Sequence, residues 1–331
     1  MCVRMSKKLV IATATADLPI NMAELAAALG GDFRLEVVPL PFGNMSSEHQ
    51  SQMWQQIRDA AGLFIRTGVV PRELIDLCSE LEVIALHGVG VDQVDVAAAT
   101  ERGIYVTNVP GGNAVSVVEL SFGLMLGLLR KIANADALMR LGRWEEARTV
   151  GRELAGKRLG LLGFGNIARK VAVVAQAFGM EVVYWSRSRV QTDLASYVGK
   201  EELFSSADVV SIHVPLTEQT RGMVNRTLLS LLKPDAILIN TARGAIVNEE
   251  HLIEALRKGS FAGAGLDVFA TEPLAADSPL LELQNVLLTP HMAGSTEECL
   301  LRLARTAGED IGRVLRGESP RHAVNRPALT R

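Results

Sequence analysis

The 331-residue chain contains little cysteine, no marked excess of charge of one sign and no long uninterrupted apolar run. Its three cysteines, Cys2, Cys78 and Cys299, lie far apart and form no C-x-x-C pair, which argues against a disulfide framework and a zinc site. A reducing cytoplasm is therefore the expected compartment. The formal net charge of −3 argues against a nucleic-acid-binding protein, which normally carries a strong basic excess. No metal-ligand spacing such as H-E-x-x-H occurs, so no metal site is predicted.

The apolar segments do not have the length or the character of membrane spans. The longest, residues 115–129, contains Glu119 and Ser121 and is too short to cross a bilayer as a helix. The beginning of the chain, MCVRMSKKLVIATATA, places cations before an apolar run, but that run is short and rich in threonine. It is predicted as a first strand, LVIATA, and not as a signal peptide. The sequence therefore indicates a soluble protein without a membrane partner.

Short aliphatic runs alternate with amphipathic segments, the pattern of parallel sheets covered by helices. Strands are predicted early in the chain at LVIATA, LEVVPL, GLFIR, LEVIAL and GIYVTN, and later at GLLGFG, EVVYWS, VVSIHV, AILINTA, GAGLDV and VLLTP. One long buried helix is predicted over 113–139, and a final helix over 295–316.

The length of the chain exceeds a comfortable single core, so two domains are expected. The interpretation is an α/β protein with two Rossmann-like, doubly wound parallel-sheet domains and a cleft between them. The first, discontinuous domain comprises 1–105 and 296–331 and binds the substrate. The second comprises 106–295 and binds a dinucleotide.

A glycine turn at Gly163-x-Gly165-x-x-Ala168 lies between an apolar strand and the helical segment IARKVAVVAQAFG. The first glycine permits a tight turn, the second lets the backbone approach a pyrophosphate, and the small third residue lets helix and strand pack closely. The strand–turn–helix context makes this pattern informative. A second pair, Gly88-x-Gly90, has Gln93 at the third position, which is too large for a dinucleotide site.

The strand after the glycine turn ends in Ser186, Arg187, Ser188 and Arg189. An NAD site usually has an acidic residue here that binds the ribose hydroxyls, whereas serine and arginine can bind the extra phosphate of NADP. The alternative is a solvated turn that is basic by chance. NADP is therefore the preferred cofactor, with NAD still possible.

Three later segments place reactive side chains after apolar strands: Arg243 in AILINTARGAIVNEE, Glu272 in GAGLDVFATEPL and His291 in VLLTPHMAGST. In open α/β sheets, ligands bind at the carboxyl ends of the strands. We therefore expect these three side chains to converge near the cofactor. Each alone has an ordinary structural alternative: a surface ion pair, a loop charge or a core histidine.

These segments resemble the D-isomer-specific 2-hydroxyacid dehydrogenase family, and the resemblance extends over nearly the whole chain. The motifs that carry it, in order, are HGVGVDQVD (87–95), NVPGGNAVSVVEL (108–120), GKRLGLLGFGNIARKVA (156–172), HVPLTEQTRGMVN (213–225), NTARGAIVNEEHL (240–252), LDVFATEPL (266–274) and LLTPHMAGST (287–296). Ala168 at the third glycine site and Ser186 in place of the acid depart from the simplest NAD pattern.

The resemblance implies a role for each matching residue. His291 is the expected proton donor to the substrate carbonyl, Glu272 orients its imidazole, and Arg243 polarises the carbonyl and binds the carboxylate. Backbone amides at Val89 and Gly90 are expected to bind that carboxylate as well. The residues expected to contact the cofactor are Gly163, Gly165, Asn166, Ile167, Ser186, Arg187, Ser188, His213, Pro215, Thr220, Thr241, Asp267 and His291. Among them, Asp267 is the expected acceptor for the nicotinamide carboxamide.

The resemblance implies an enzyme that reduces a small 2-ketoacid to a D-2-hydroxyacid. The NADP-type strand end, in a chain without an additional regulatory domain, most resembles glyoxylate/hydroxypyruvate reductases. The alternative enzyme is an NAD-dependent D-3-phosphoglycerate dehydrogenase or another D-2-hydroxyacid dehydrogenase. The alternative of another class is a nucleotide-sensing protein similar to the C-terminal-binding-protein corepressors. The helix that begins at Asn113 and the Arg143-Trp144 segment resemble the family's dimer surface, so a homodimer is expected.

Overall fold

The computed structural model describes residues 7–13, 20–31, 33–40 and 47–327, so Cys2 and the start of the chain lie outside the described residues. The chain divides into two compact units. Unit 1 comprises Met1–Asn113 and Ser295–Arg331, and unit 2 comprises Ala114–Gly294. Among the described helices, none combines the length and the apolar character needed to cross a membrane.

Unit 1 contains a five-stranded parallel sheet in the order β2-β1-β3-β4-β5. Its strands are β1 (Lys8–Thr13), β2 (Arg34–Pro39), β3 (Gly62–Ile65), β4 (Val83–Leu86) and β5 (Tyr105–Thr107). Its helices are α1 (Met22–Leu29), α2 (Ser47–Ile57), α3 (Arg72–Leu77), α4 (Val96–Glu101) and the last helix of the chain, α12 (Glu297–Leu315). Every residue of β3 and β4 is buried, as expected for parallel strands covered on both faces. The five early strands predicted from the sequence are all present.

The boundary between the two units follows from the pairing of β5. This strand pairs in parallel with β4, with Ala85 opposite Thr107, and so belongs to the sheet of unit 1. Residues 106–113 are therefore part of unit 1, whereas the sequence interpretation began the second domain at residue 106. At the other end, the chain returns to unit 1 at Ser295, where α12 covers the sheet.

Unit 2 contains a seven-stranded parallel sheet in the order β12-β11-β10-β9-β6-β7-β8. Its strands are β6 (Arg158–Leu162), β7 (Glu181–Trp185), β8 (Ser196–Tyr197), β9 (Val209–Ile212), β10 (Ile237–Asn240), β11 (Gly263–Leu266) and β12 (Val286–Leu288). Its helices are α5 (Ala114–Leu129), α6 (Ile132–Arg140), α7 (Trp144–Ala147), α8 (Asn166–Ala177), α9 (Lys200–Ser206), α10 (Arg226–Leu229) and α11 (Glu249–Arg257). The strand order reverses at β6, which lies between β7 and β9, and ligands of open α/β sheets bind at such a switch point.

Two details of unit 2 differ from the sequence interpretation. The short edge strand β8 was not predicted. The single helix expected over 113–139 was wrong, because it is divided into α5 and α6 at Lys131, whose backbone is left-handed with a φ of 55°. The reason is the change in environment: α5 buries nine residues, whereas none of α6 is buried. The chain leaves the core of unit 2 after Leu129, and the helix does not continue straight into solvent.

Candidate active site

The glycine turn joins the carboxyl end of β6 to the start of α8. Gly163 has a φ of 102°, and a Cβ there would lie 2.7 Å from the backbone of His213, so only glycine fits this close approach. Gly165 precedes α8, and no atom lies within 4 Å of the position its Cβ would take. No side chain caps the first turn of α8, whose amides favour an anion. This open cradle fits the pyrophosphate of a dinucleotide.

The basic end of β7 lies beside that turn, because the amide of Gly163 donates to the carbonyl of Trp185 at 2.8 Å. The hydroxyl of Tyr184 donates to the carbonyl of Val190 at 2.6 Å and accepts from its amide at 2.8 Å, which folds residues 186–190 into a tight loop. Within the loop, the Ser186 hydroxyl donates to the carbonyl of Ser188 at 2.7 Å. The side chain of Arg187 is exposed. The arrangement presents a cation at the strand end where the NADP phosphate was predicted to bind.

His213 directly follows β9 and forms one wall of the glycine turn. Its amide donates to the carbonyl of Leu162 at 2.7 Å, and its Nε2 lies 2.9 Å from the hydroxyl of Ser211. Burial among protein atoms lowers the pKa of His213 to about 4, so the ring is neutral at pH 7. A neutral imidazole beside the glycine turn serves as a hydrogen-bonding and packing surface and not as a charge.

The remaining predicted cofactor residues of unit 2 lie at other strand ends. Thr220 donates from its hydroxyl to the carbonyl of Pro215 at 2.6 Å, which closes the turn after His213. Thr241 follows β10 and is buried, with its hydroxyl 3.2 Å from that of Ser121 on α5. The structure therefore gives Thr220 and Thr241 internal hydrogen bonds that shape their loops.

His291 and Glu272 form a hydrogen-bonded pair. The Nδ1 of His291 lies 2.6 Å from one carboxylate oxygen of Glu272, and the other oxygen accepts from the amide of Phe269 at 3.0 Å. Burial alone would raise the pKa of Glu272, but the hydrogen bond and charge of His291, helped by the Phe269 amide and by Arg243, hold that pKa below its ordinary value. Glu272 is thus an anion that orients the imidazole and stabilises its protonated form.

Arg243 lies at the end of β10, in a turn held by Asn240. The buried side chain of Asn240 donates to the carbonyl of Arg243 at 3.0 Å and accepts from the amide of Ala242 at 3.1 Å. The next residue, Gly244, approaches the loop that carries Glu272 so closely that a Cβ would lie 1.9 Å from the backbone carbon of Phe269. The contact between these two loops holds Arg243 near Glu272, and its charge acts on that carboxylate. Neither Asn240 nor Gly244 was predicted as a site residue, although both lie within the motif NTARGAIVNEEHL.

Asp267 holds the loop that carries His291. Its carboxylate accepts from the Thr289 hydroxyl at 2.7 Å and from the amides of Met292 and Ala293 at 2.8 and 2.9 Å. Its carbonyl accepts from the amide of His291 at 2.8 Å. His291 has a left-handed backbone with a φ of 51°, which costs free energy for a residue with a Cβ and needs such support. The prediction that Asp267 also binds the nicotinamide carboxamide stays a prediction.

In unit 1, Val89 and Gly90 lie in the half-buried turn after β4. The turn is held by Asn108, whose amide nitrogen donates to the carbonyl of Val89 at 2.6 Å, and by the Val109 amide, which donates to the carbonyl of Gly88 at 2.8 Å. In both hydrogen bonds the turn contributes a carbonyl acceptor, so these bonds do not occupy the backbone amides of Val89 and Gly90. Within the part of the chain that the structure describes, no group of three or more histidine, cysteine or acidic side chains is arranged to hold a metal ion.

A family model and several known proteins match this chain. Residues 122–293 match the model described as D-isomer specific 2-hydroxyacid dehydrogenase, NAD binding domain. A glyoxylate reductase of Thermococcus litoralis is 40% identical over 288 residues, which cover 83% of this chain and 87% of that protein. A D-3-phosphoglycerate dehydrogenase of Methanocaldococcus jannaschii is 42% identical over 287 residues, which cover 85% of this chain but only 54% of that protein. The chain thus spans about half the length of that relative.

A solved structure shares the fold over nearly the whole chain. The NADPH-dependent glyoxylate/hydroxypyruvate reductase of Sinorhizobium meliloti, in complex with NADP and malonate, superposes with a TM-score of 0.84 at 30% sequence identity. The match covers 98% of this chain and 99% of that one. Similarity therefore extends to unit 1 as well as to the dinucleotide-type unit 2.

Proposed function

The chain belongs to the D-isomer-specific 2-hydroxyacid dehydrogenase family and is an NAD(P)-dependent oxidoreductase, and we propose that it is an NADP-preferring reductase of hydroxypyruvate or glyoxylate. The observation that carries the cofactor preference is the end of β7, where Ser186 takes the place of the acid usual in an NAD enzyme and is followed by the exposed Arg187. This strand end lies at the glycine turn, because the carbonyl of Trp185 accepts from the amide of Gly163. The substrate class is supported by the glyoxylate reductase of Thermococcus litoralis and the NADPH-dependent reductase of Sinorhizobium meliloti.

The cofactor fits the residues of unit 2. Gly163 and Gly165 leave space for the pyrophosphate, and the uncapped amides of Asn166 and Ile167 at the start of α8 bind it. Arg187, with Ser186 and Ser188, binds the 2′-phosphate through charge-assisted hydrogen bonds. Further contacts are proposed at the strand ends that carry His213, Pro215, Thr220, Thr241, Asp267 and His291.

In the proposed reaction, the bound nicotinamide supplies a hydride to carbon 2 of the ketoacid. His291 gives a proton to the carbonyl oxygen, and Glu272 holds the imidazole in place through its Nδ1, which leaves Nε2 for the substrate. Arg243 stabilises the negative charge that develops on that oxygen and binds the carboxylate. The backbone amides of Val89 and Gly90 also bind the carboxylate in this proposal. In the oxidative direction, His291 accepts the proton of the hydroxyacid.

The cofactor preference is tested by the ratio of kcat/KM for NADPH to that for NADH, measured with hydroxypyruvate. We expect a ratio well above one in the unchanged protein. Arg187→Ala should lower kcat/KM for NADPH about 10- to 100-fold, the range for a lost charge-assisted hydrogen bond, and leave NADH nearly unchanged. The matched control is Arg257→Ala, which removes an exposed arginine at the end of α11 that pairs with Glu282. Equal losses for both cofactors would show that Arg187 does not contact the 2′-phosphate.

The same assay separates the alternatives. A ratio below one, with NAD-dependent oxidation of D-3-phosphoglycerate, would favour the activity named for the relative from Methanocaldococcus jannaschii. Cofactor binding without turnover of any 2-ketoacid would favour a nucleotide-sensing protein. His291→Ala should abolish most reduction while NADPH still binds, because it removes the proton donor and no part of the glycine turn. Near-normal turnover in that variant would exclude His291 as the donor.

The proposed assembly is a homodimer whose interface buries the exposed surface of α6 and α7. Neither helix has a buried residue, and apolar side chains are exposed on and beside them: Ile132 at 55%, Leu141 at 69% and Trp144 at 59%. A groove of about 510 Å³ on this surface is lined by Leu126, Arg130, Ile132, Ala135, Asp136 and Met139. Exposed apolar patches of this kind mark association sites, and a second copy of the chain offers the same apolar surface in return.

Sedimentation velocity measures this assembly directly. The unchanged protein should sediment as a dimer, and Trp144→Asp should shift it toward monomer because a charge would be buried in the interface. Leu281→Asp, which places the same charge at another exposed apolar position, should remain dimeric. A monomeric unchanged protein, or equal effects of the two substitutions, would contradict the assembly.

A further inference from the structure

A segment after α12 runs along the edge of the unit 1 sheet. This segment, residues 318–327, is called the strap, and it lies beside β5, the last strand in the order of that sheet. Ala323 of the strap pairs with Thr107 in antiparallel orientation. The amide of Val324 donates to the carbonyl of Val106 at 2.8 Å. The strap therefore extends the sheet beyond β5 and binds backbone groups that an edge strand would leave unpaired.

A buried asparagine fixes the strap in this register. The carboxamide oxygen of Asn325 accepts from the amide of Val106 at 2.8 Å, and its nitrogen donates to the carbonyl of Ile104 at 2.9 Å. The same nitrogen donates to the hydroxyl of Thr100 at 2.8 Å, so the strap is also joined to α4. Asn325 is buried, and its three directed hydrogen bonds can all form in only one position of the strap along β5.

A second buried side chain joins the strap to α12. The carboxylate of Asp310, which is only 1% exposed, accepts from the amides of Arg321 and His322 at 2.6 and 3.1 Å. The Nδ1 of His322 lies 2.9 Å from one oxygen of the same carboxylate. The carbonyl of His322 in turn accepts from the amide of Asn108, the first residue after β5, at 3.4 Å. Asp310 thus holds the strap at the residue that faces the end of β5.

Asn108 connects the strap to the turn assigned to the substrate. Its backbone contacts the strap, whereas its side-chain nitrogen donates to the carbonyl of Val89 at 2.6 Å. The amide of Val109, the next residue, donates to the carbonyl of Gly88 at 2.8 Å. The segment that follows β5 therefore holds the Val89–Gly90 turn from one side and is held by the strap on the other. A displacement of this segment would displace the turn.

We propose that His322 and Asn325 are positioning residues for ketoacid reduction: they fix the strap, and the strap sets the Val89–Gly90 turn through Asn108. This inference rests on the proposed function, which assigns that turn to the substrate carboxylate. Neither His322 nor Asn325 contacts the substrate or the cofactor. The carboxylate is bound alike in the ground state and in the transition state, so a displaced turn should raise KM for the ketoacid and change kcat little.

Steady-state kinetics with hydroxypyruvate and NADPH test this role in His322→Ala and Asn325→Ala. In each variant KM for hydroxypyruvate should rise about 3- to 10-fold, the effect of a lost hydrogen bond, with kcat and KM for NADPH nearly unchanged. His322 is partly exposed, so His322→Ala decides the test if Asn325→Ala does not fold. The matched control is Arg321→Ala, which removes an exposed strap side chain paired with Glu309 and keeps the backbone amide that donates to Asp310. Unchanged KM in His322→Ala, a fall in kcat alone, or an equal rise in the control would overturn the proposal.

A double-mutant cycle tests whether the strap acts through Asn108. Asn108→Ala removes the hydrogen bond to the carbonyl of Val89 and should raise KM for hydroxypyruvate by itself. In the double variant with His322→Ala, KM should rise by clearly less than the product of the two single effects, because the connection between strap and turn is already broken. A rise equal to that product would mean that His322 acts independently of Asn108 and would overturn the proposal.

Amide hydrogen exchange measures how firmly the turn is held and needs no turnover. The amide of Val109, which donates to the carbonyl of Gly88, should exchange faster in His322→Ala, while the amides of β3 keep their rates. Faster exchange throughout unit 1 would make the strap a general stabiliser of the fold and overturn its positioning role. If the unchanged protein reduces no ketoacid but exchange at Val109 still depends on His322, the proposed function fails and the control of the turn by the strap stands.

Discussion

The closest backbone approach in the candidate site gives the sharpest test of how its residues are positioned. Gly244 follows Arg243, and a Cβ added there would lie 1.9 Å from the backbone carbon of Phe269 and 2.0 Å from its carbonyl oxygen. Gly244→Ala therefore forces apart the loop of Arg243 and the loop of Glu272. Ordinary contact begins at 3.4 Å, so the loops must separate by about 1.5 Å. Neither obstacle is a flexible side chain, so backbone has to move.

The magnitude follows from this displacement. A misplacement of about 1 Å in a catalytic group can cost about 100-fold in rate, so we expect kcat/KM for hydroxypyruvate to fall by at least that factor. Overpacking of a buried position typically costs about 1–3 kcal/mol, so stability should fall by that amount without loss of the fold. NADPH binding should change little, because Gly244 lies at the end of β10 and the glycine turn lies at the end of β6.

The assay combines steady-state kinetics, urea unfolding and NADPH binding on Gly244→Ala and a control. Gly123→Ala is the control, because Gly123 is exposed on α5 and no atom lies within 4 Å of its added Cβ. That substitution should keep full activity and raise stability by about 0.5–1 kcal/mol, as expected for alanine in a helix. Activity of Gly244→Ala within threefold of the unchanged protein would refute the argument that the contact with Phe269 sets the position of Arg243.

Three further predictions concern groups whose environment is unusual. The rate of reduction should fall as the pH rises, and Glu272→Gln should move this fall to lower pH, because the imidazolium of His291 loses its anionic partner. An unchanged pH–rate profile would make Glu272 purely structural. Asp267→Asn should lower kcat at least tenfold and speed hydrogen exchange of the Ala293 amide, since asparagine has one acceptor oxygen where aspartate has two. A rise in KM for NADPH without these changes would refute this prediction. The pKa of His87 is about 3 when folded and 6.5 as a free histidine, so the unfolded chain binds the extra proton between these values. The free energy of unfolding should therefore fall as the pH drops from 6.5 toward 3, by at most about 5 kcal/mol. Urea unfolding at pH 7 and pH 4 measures this loss, and in His87→Leu the part of the loss due to His87 should be absent.

The sheets could be predicted because their strands are aliphatic runs buried on both faces. Leu238 and Ile239 of β10 are completely buried, as are Ile84 and Ala85 of β4, and such runs stand out between amphipathic helices. The edge strand β8 lacks this signal, since both of its residues are exposed. The break at Lys131 was also not predictable, because the residues before and after it both form helices. What changes there is burial, which depends on the rest of unit 2.

The pairing of Glu272 with His291 could be predicted for a similar reason. Parallel strands bring their carboxyl ends to one edge, so Glu272 after β11 and His291 after β12 meet there despite their distance in sequence. The rule locates residues but not their partners. Asn240 and Gly244 were missed because their contacts, a carbonyl three residues away and a neighbouring backbone, leave no periodic or compositional trace.

Hydrogen-bond partners explain why an acidic side chain is buried beside the loop of His291. Asp267 is completely buried, yet its carboxylate accepts three hydrogen bonds from the loop of His291, so the protein itself accounts for its presence. This arrangement stabilises the folded state and holds the loop of His291, so its loss should affect both stability and kcat.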